Sequence, residues 1–126
     1  MVRTLVEGAH VTACEVTDEG LAAAVDDVHL IISAGAAGVQ FLRGDEWQSI
    51  ETLKVAIDLN AVPPLGLEGI EVNDKATDRN GISCYGAIGV GGLKMKIHRA
   101  AVKRLFHAND QVLDTAAIYA LAKEVS

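Results

Sequence analysis

The sequence is poor in aromatic residues, in cysteine and in positive charge, and each shortage narrows what the protein can be. One Trp, two Tyr and two Phe occur in 126 residues. The core must therefore be built from Ala, Val, Ile and Leu, the usual composition of a sheet covered by helices. Cys14 and Cys84 lie far apart, each inside an apolar stretch. They form neither a metal-type pair nor a disulfide framework, and read as reduced, buried thiols. Eleven Lys and Arg stand against seventeen Asp and Glu, a net charge of −6. A nucleic-acid backbone needs a positive surface, so DNA and RNA are not expected as partners. No apolar run approaches the roughly 18 residues of a membrane span. The opening Met1-Val2-Arg3-Thr4 lacks the basic start, apolar stretch and small-residue cleavage site of a secretory leader. A cytoplasmic protein with no membrane partner is the expectation. His10, His29 and His107 show no ligand spacing, so no metal is expected.

A further absence bears on function. A dinucleotide-binding fold opens with a strand, a G-x-G-x-x-G turn and a helix, because the glycines let a pyrophosphate reach the helix N-terminus. This chain has no such segment. The run Gly86, Gly89, Gly91 and Gly92 has a different spacing, and no acidic residue closes a following strand. Residues 1–8 read as the tail of a helix. A first strand with its turn and helix, and a second strand, are thus expected to be missing.

What is present alternates between strand and helix. Residues 11–16 are β-rich and read as a strand, followed by a short helix over 21–25 capped by Asp18. Residues 28–34 form a near-continuous apolar run, the pattern of a strand buried on both faces. Helical stretches are expected around 39–42 and 46–50, then a strand over 53–59, stopped by Pro63-Pro64 and Gly66. The polar stretch 67–81 reads as a surface excursion or short hairpin. A strand over 83–88 leads through the glycine-rich turn into a long helix from about Leu93 to Ala108, and Asp114 caps a last helix over 116–123. There are no internal repeats. One α/β domain over residues 1–126 results, a partial Rossmann-like three-layer parallel sheet with helices, lacking the first βαβ unit.

In such sheets ligands lie outside the carboxyl ends of the strands. Those ends hold the unusual residues: Gly35 to Gly38, Asp58 with Asn60, and Gly86 to Gly92. Glycine there admits close approach of a ligand, or simply turns the chain into a helix; Asp58 and Asn60 bind a ribose or amide, or cap the turn. On the helix from Leu93, Met95, Ala101, Val102, Leu105 and Phe106 share one arc, while Lys96, Arg99, Lys103 and His107 gather opposite as a solvated face. Lys94 and His98, one turn apart, fall inside the apolar arc. A lysine there is costly unless it is paired or faces a polar cleft. Snorkelling is the bland alternative for Lys94, and a satisfied core histidine for His98.

The stretches Ser33-Ala34-Gly35-Ala36-Ala37-Gly38, Asp58-Leu59-Asn60-Ala61-Val62-Pro63-Pro64-Leu65-Gly66 and Tyr85-Gly86-Ala87-Ile88-Gly89-Val90-Gly91-Gly92-Leu93-Lys94-Met95-Lys96-Ile97-His98-Arg99-Ala100 resemble the NAD(P)-dependent methylene-tetrahydromethanopterin and methylene-tetrahydrofolate dehydrogenases of one-carbon metabolism, in their C-terminal half. The likeness runs from about Val11 to the end. It implies an oxidoreductase that moves a hydride between a methylene-tetrahydropterin and NAD(P), without metal or flavin. It implies cofactor contacts at Ala34, Gly35, Ala36, Gly38, Asp58, Asn60, Gly86, Ile88, Gly89 and Gly91. Lys94 takes the substrate-side catalytic position, with His98 as a further substrate contact. The family's pyrophosphate turn and its NAD/NADP selector precede the matching stretch and are not carried over. The chain alone is therefore expected to bind NAD(P) weakly and to be inactive. It is a fragment or split half that works with a complementary N-terminal half or as a homo-oligomer, or else a non-catalytic remnant that assembles or binds a small molecule.

Overall fold

The computed structural model describes residues 6–126. Four strands form one sheet: β1 (Leu30–Ser33), β2 (Val55–Asp58), β3 (Lys75–Arg79) and β4 (Ile82–Tyr85), in the order β1-β2-β4-β3. β1, β2 and β4 are parallel, with Ile31 beside Ala56 and Ala56 beside Cys84. β3 is antiparallel to β4 and pairs with it as a hairpin, so the sheet is mixed at one edge. Among the described residues the helices are α1 (Asp18–Val25), α2 (Gly44–Gln48), α3 (Ala87–His107) and α4 (Thr115–Val125). This mostly parallel α/β sheet matches the partial Rossmann-like fold read from the apolar runs.

Alternation along the strands separates two faces. Ile31, Ser33, Ala56, Asp58, Ile82 and Cys84 lie on one, over a core of Leu42, Trp47, Leu53, Leu67 and Ile70, with Leu21 and Val25 of α1 at its margin. Trp47 is completely buried and its indole Nε1 donates to the Glu68 carbonyl at 3.0 Å, so the largest side chain is both packed and satisfied. Leu30 and Ile32 point the other way and are 50% and 55% exposed. β1 is also an edge strand with no charged or proline guard among its four residues.

Several expectations are corrected. Residues 11–16 are assigned to no strand among the described residues, and Val16 is 76% exposed. Cys14 is consequently exposed, whereas Cys84 is buried as expected. Thr17, not Asp18, caps α1, its hydroxyl accepting from Gly20 N at 3.1 Å. Residues 39–42 are extended because Phe41 and Leu42 donate to the Gly66 carbonyl and Leu42 bridges in parallel to Leu67. The stretch 67–81 is partly internal, since Leu67, Ile70 and Asp74 are buried. The reading of residues 1–8 as a helix tail lies outside the described residues, apart from a turn over 6–8. The Asp114 cap holds, its Oδ1 accepting from Ala117 N at 2.9 Å.

The largest difference is at α3. It starts at Ala87, six residues before Leu93, so Gly89, Gly91 and Gly92 are helical rather than a turn. The physical cause is external acceptors: Ile88 N and Gly89 N donate to the Val72 carbonyl at 2.8 and 3.2 Å, while Gly86 N donates to the Asp74 carbonyl at 2.9 Å. Main-chain oxygens of the neighbouring loop thus satisfy donors that a helix start otherwise leaves unpaired. Only Ala101 on α3 is fully buried; Met95, Val102, Leu105 and Phe106 are exposed, as are Lys94 and His98. The apolar arc exists in the sequence, but among the described residues little covers it. α3 and α4 pack on each other and are joined by an Arg104 to Glu124 ion pair.

Candidate functional site: the carboxyl edge of the sheet

The parallel strands end on one edge, and the segments leaving β1 and β2 are locked together there. Leu59 N donates to the Ser33 carbonyl at 2.9 Å. Asn60 Nδ2 donates to the Ala36 carbonyl at 3.2 Å, joining the two segments through a side chain. Asp58 is fully buried, and its oxygens divide between two main-chain donors: Oδ1 accepts from Asn60 N at 2.9 Å and Oδ2 from Leu67 N at 2.6 Å. A short charge-assisted pair of this kind clamps both ends of the loop that carries Pro63-Pro64. Asp58 and Asn60 thus act as braces, the turn-capping alternative of the sequence reading.

Glycine allows this edge to close up. A Cβ on Gly35 would stand 2.1 Å from the Phe41 ring, and one on Gly66 would stand 1.9 Å from Ser33 Oγ. The hydroxyl of Ser33 is buried and finds no hydrogen-bond partner among the described residues. No spacing rule marks either packing, and the second joins Ser33 to Gly66, thirty-three residues on in the chain. Gly38 adopts φ +73°, the left-handed region that favours glycine. Ala34, Gly35 and Ala36 are exposed, so beyond Ser33 the β1 segment presents backbone and methyl groups only. A flat ligand can lie against such a surface closely.

At the end of β4 the glycines serve the protein's own chain. A Cβ on Gly86 would meet the Glu71 carbonyl at 2.0 Å, and one on Gly89 the Asp74 carbonyl at 1.7 Å. Gly91 and Gly92 face open space. With its first donors taken by Val72 and Asp74, the start of α3 does not offer the amides that hold a pyrophosphate. Ile88 is exposed. The donor set at this edge therefore leaves no row of free amides for a diphosphate.

Behind this loop lies a charge pair that spacing did not reveal. Arg79 donates to both oxygens of Asp74, at 2.8 to 3.1 Å, and Asp74 Oδ2 also accepts from Glu71 N at 2.9 Å. Burial pushes the Asp74 carboxyl up, but the Glu71 amide and the Arg79 guanidinium outweigh it and hold the group below its ordinary 3.8. Burial raises the Cys84 thiol above its usual range, so this sulfur is no ready nucleophile.

Lys94 and His98 sit on α3, exposed, and no hydrogen bond or ion pair joins either to the braced loops. The sequence-predicted residues thus form a connected cluster at 34–38 with 58–60, a packing seat at Gly86 and Gly89, and two free side chains on the helix. Among the described residues no group of three His, Cys, Asp or Glu is placed to hold a metal, and no helix is long and apolar enough to cross a membrane.

No family model matches the chain. Curated relatives do. Over 118 residues, 93% of the chain, it is 42% identical to the bifunctional protein MdtA of Methylorubrum extorquens. Over 114 residues, 86% of the chain, it is 37% identical to an NAD(P)-dependent methylenetetrahydromethanopterin dehydrogenase of the same organism. The matched stretch makes up 41% and 37% of those two proteins, so the chain spans about two fifths of their length.

Proposed function

From a chain that belongs, over the stretch it shares with them, to the methylene-tetrahydromethanopterin dehydrogenase family, we propose that it supplies the downstream wall of a nicotinamide cofactor cleft. In this role it takes part in hydride transfer between a methylene-tetrahydropterin, of the methanopterin or folate type, and NAD(P). The observation that supports this reading best is the braced carboxyl edge. Asn60 fixes the backbone at Ala36, Asp58 fixes both ends of the following loop, and the β1 segment so held presents only backbone and methyl groups over 34–38, with Leu59 and Val62 exposed beside it. Hydride transfer asks for two rings held in register with water excluded, and a rigid flat wall meets the first need.

The nicotinamide supplies the two-electron chemistry when bound. This chain's residues orient: Ala34, Gly35, Ala36 and Gly38 lie along the cofactor, while Asp58 and Asn60 act behind them as positioning residues. Gly86 and Gly89 set the start of α3 against residues 71–74 and so fix where that helix points. Lys94, exposed and without an ionic partner among the described residues, donates to a polar atom of the pterin, with His98 one turn further along. The residues of this stretch supply no diphosphate grip, so turnover draws that grip from another segment of the assembled enzyme. A second reading, a self-associating module without turnover, draws on the unguarded β1 edge and half-exposed Leu30 and Ile32.

The test is a steady-state assay of a polypeptide joining this stretch to a dinucleotide-gripping segment, with methylene-tetrahydromethanopterin or methylene-tetrahydrofolate and NAD or NADP. Formation of reduced nicotinamide supports the proposal. A folded protein that binds NAD(P) and oxidises neither carrier contradicts it.

A further inference from the structure

We infer that a second ligand site lies in the crevice between β3 and the first turns of α3, and that it takes an organic anion carried on a flat ring. The crevice has a volume of about 400 Å³ and is lined by Lys75, Tyr85, Gly89, Gly92, Leu93 and Lys96. That volume lies within the range of roughly 300 to 1,000 Å³ typical of small-molecule sites and exceeds what a single inorganic ion needs.

Its chemistry is unusual for this molecule. The chain carries a net charge of −6, yet two lysines face this one space, and neither has an ion-pair partner among the described residues. The nearest buried carboxylate, Asp74, is already neutralised by Arg79. Two like charges lining one crevice repel each other, and a bound anion removes that cost. The rest of the lining is apolar or aromatic. Tyr85 offers a ring, Val90 and Leu93 aliphatic walls, and Gly92, with open space where a Cβ would stand, leaves room between them.

The positions are built by the fold. Lys75 is paired with Tyr85 across the hairpin, and the ladder slips by one residue between Lys75 and Thr77. Ala76 takes up the irregularity at φ +53°, a conformation a non-glycine residue rarely adopts. A bulge of this kind re-aims the side chain beside it. On α3, Gly89, Leu93 and Lys96 recur at helical spacing on one face. Lys94, two residues before Lys96 and about 200° away around the helix, belongs to another face. The site is therefore distinct from the Lys94 position and does not depend on the dehydrogenase reading.

The experiment is a ¹⁵N–¹H NMR titration of the whole chain with phenylsuccinate, which carries a ring and two carboxylates and is no part of a pterin carrier. Succinate serves as the anion alone and benzamide as the ring alone. The expected result is a set of shifts centred on the amides of Lys75, Tyr85, Gly89 and Gly92. Affinity should be about tenfold above either part and fall with added salt. Lys75→Gln and Lys96→Gln should each weaken binding by about fivefold or more, and Lys94→Gln should leave it unchanged. The inference is overturned by shifts that centre elsewhere, by succinate binding as well as the full probe, or by Lys94→Gln weakening binding as much as Lys96→Gln. Absence of residue-specific shifts up to about 10 mM probe overturns it equally.

Discussion

Gly89 and Gly91 stand two residues apart in α3, and replacing each by alanine should move stability in opposite directions. A methyl on Gly89 would lie 1.7 Å from the Asp74 carbonyl, which itself accepts the Gly86 amide. The obstacle is backbone, tied into the start of β3, and cannot swing aside as a side chain would. Either α3 lifts from residues 71–74, losing the bonds from Ile88 and Gly89 to Val72, or the loop shifts and strains the Asp74–Arg79 pair. Overpacking of this kind costs about 1 to 3 kcal/mol, and more where the obstacle cannot relax. At Gly91 a methyl meets nothing within 4 Å. There alanine removes the entropy penalty of a helical glycine and should stabilise by about 0.5 to 1 kcal/mol. Urea denaturation followed by far-UV circular dichroism measures the difference, expected at about 2 to 4 kcal/mol. If both substitutions stabilise, or both destabilise equally, the seat assigned to Gly86 and Gly89 is wrong.

Asp58→Ala should destabilise by about 2 to 5 kcal/mol, because two buried main-chain amides lose their acceptor; hydrogen exchange should show the Leu67 amide losing protection. The depressed folded-state carboxyl of Asp74 stabilises the fold above its unfolded value near 3.8 and ceases to do so as pH falls through the lower folded value. Acid titration should therefore show stability declining below about pH 4, and Asp74→Asn should flatten that part of the curve. In an assembled enzyme containing this stretch, Lys94→Ala should lower pterin turnover by about tenfold to a thousandfold with little change in NADP affinity. Lys103→Ala, on the solvated face, should leave turnover near its starting value, which steady-state kinetics of both variants would check.

What the sequence made legible follows from where each element's stability comes from. β1, β2 and β4 are short apolar runs, so composition alone marks them, although β1 is buried on one face and not on both as its run predicted. The α4 cap is a local bond from the Ala117 amide to the Asp114 carboxylate and is equally visible. β3 is hard to see: Lys-Ala-Thr-Asp-Arg carries no apolar signal and is a strand because β4 offers it a partner. The start of α3 is misplaced for a similar reason. No local cap marks Gly86, and the acceptors that begin the helix come from residues 72 and 74. Residues 11–16 differ in the opposite sense, with strand chemistry but no strand assignment among the described residues. At the site, the strand-end glycines and Asp58 with Asn60 stood out by position. Whether they face a ligand or brace the loop depends on contacts between segments distant in sequence, and the structure shows the bracing. The burial assumed for Lys94 and His98 came from a helical arc that is little covered among the described residues.

The central claim, a cofactor wall without its own diphosphate grip, is tested most directly by calorimetric titration of the 126-residue chain with NADP and with NAD. The account predicts binding no tighter than about 1 mM for either, since the flank of the cleft alone supplies neither amide donors nor a cation for the pyrophosphate. Sub-micromolar binding of either nucleotide by this chain would contradict it.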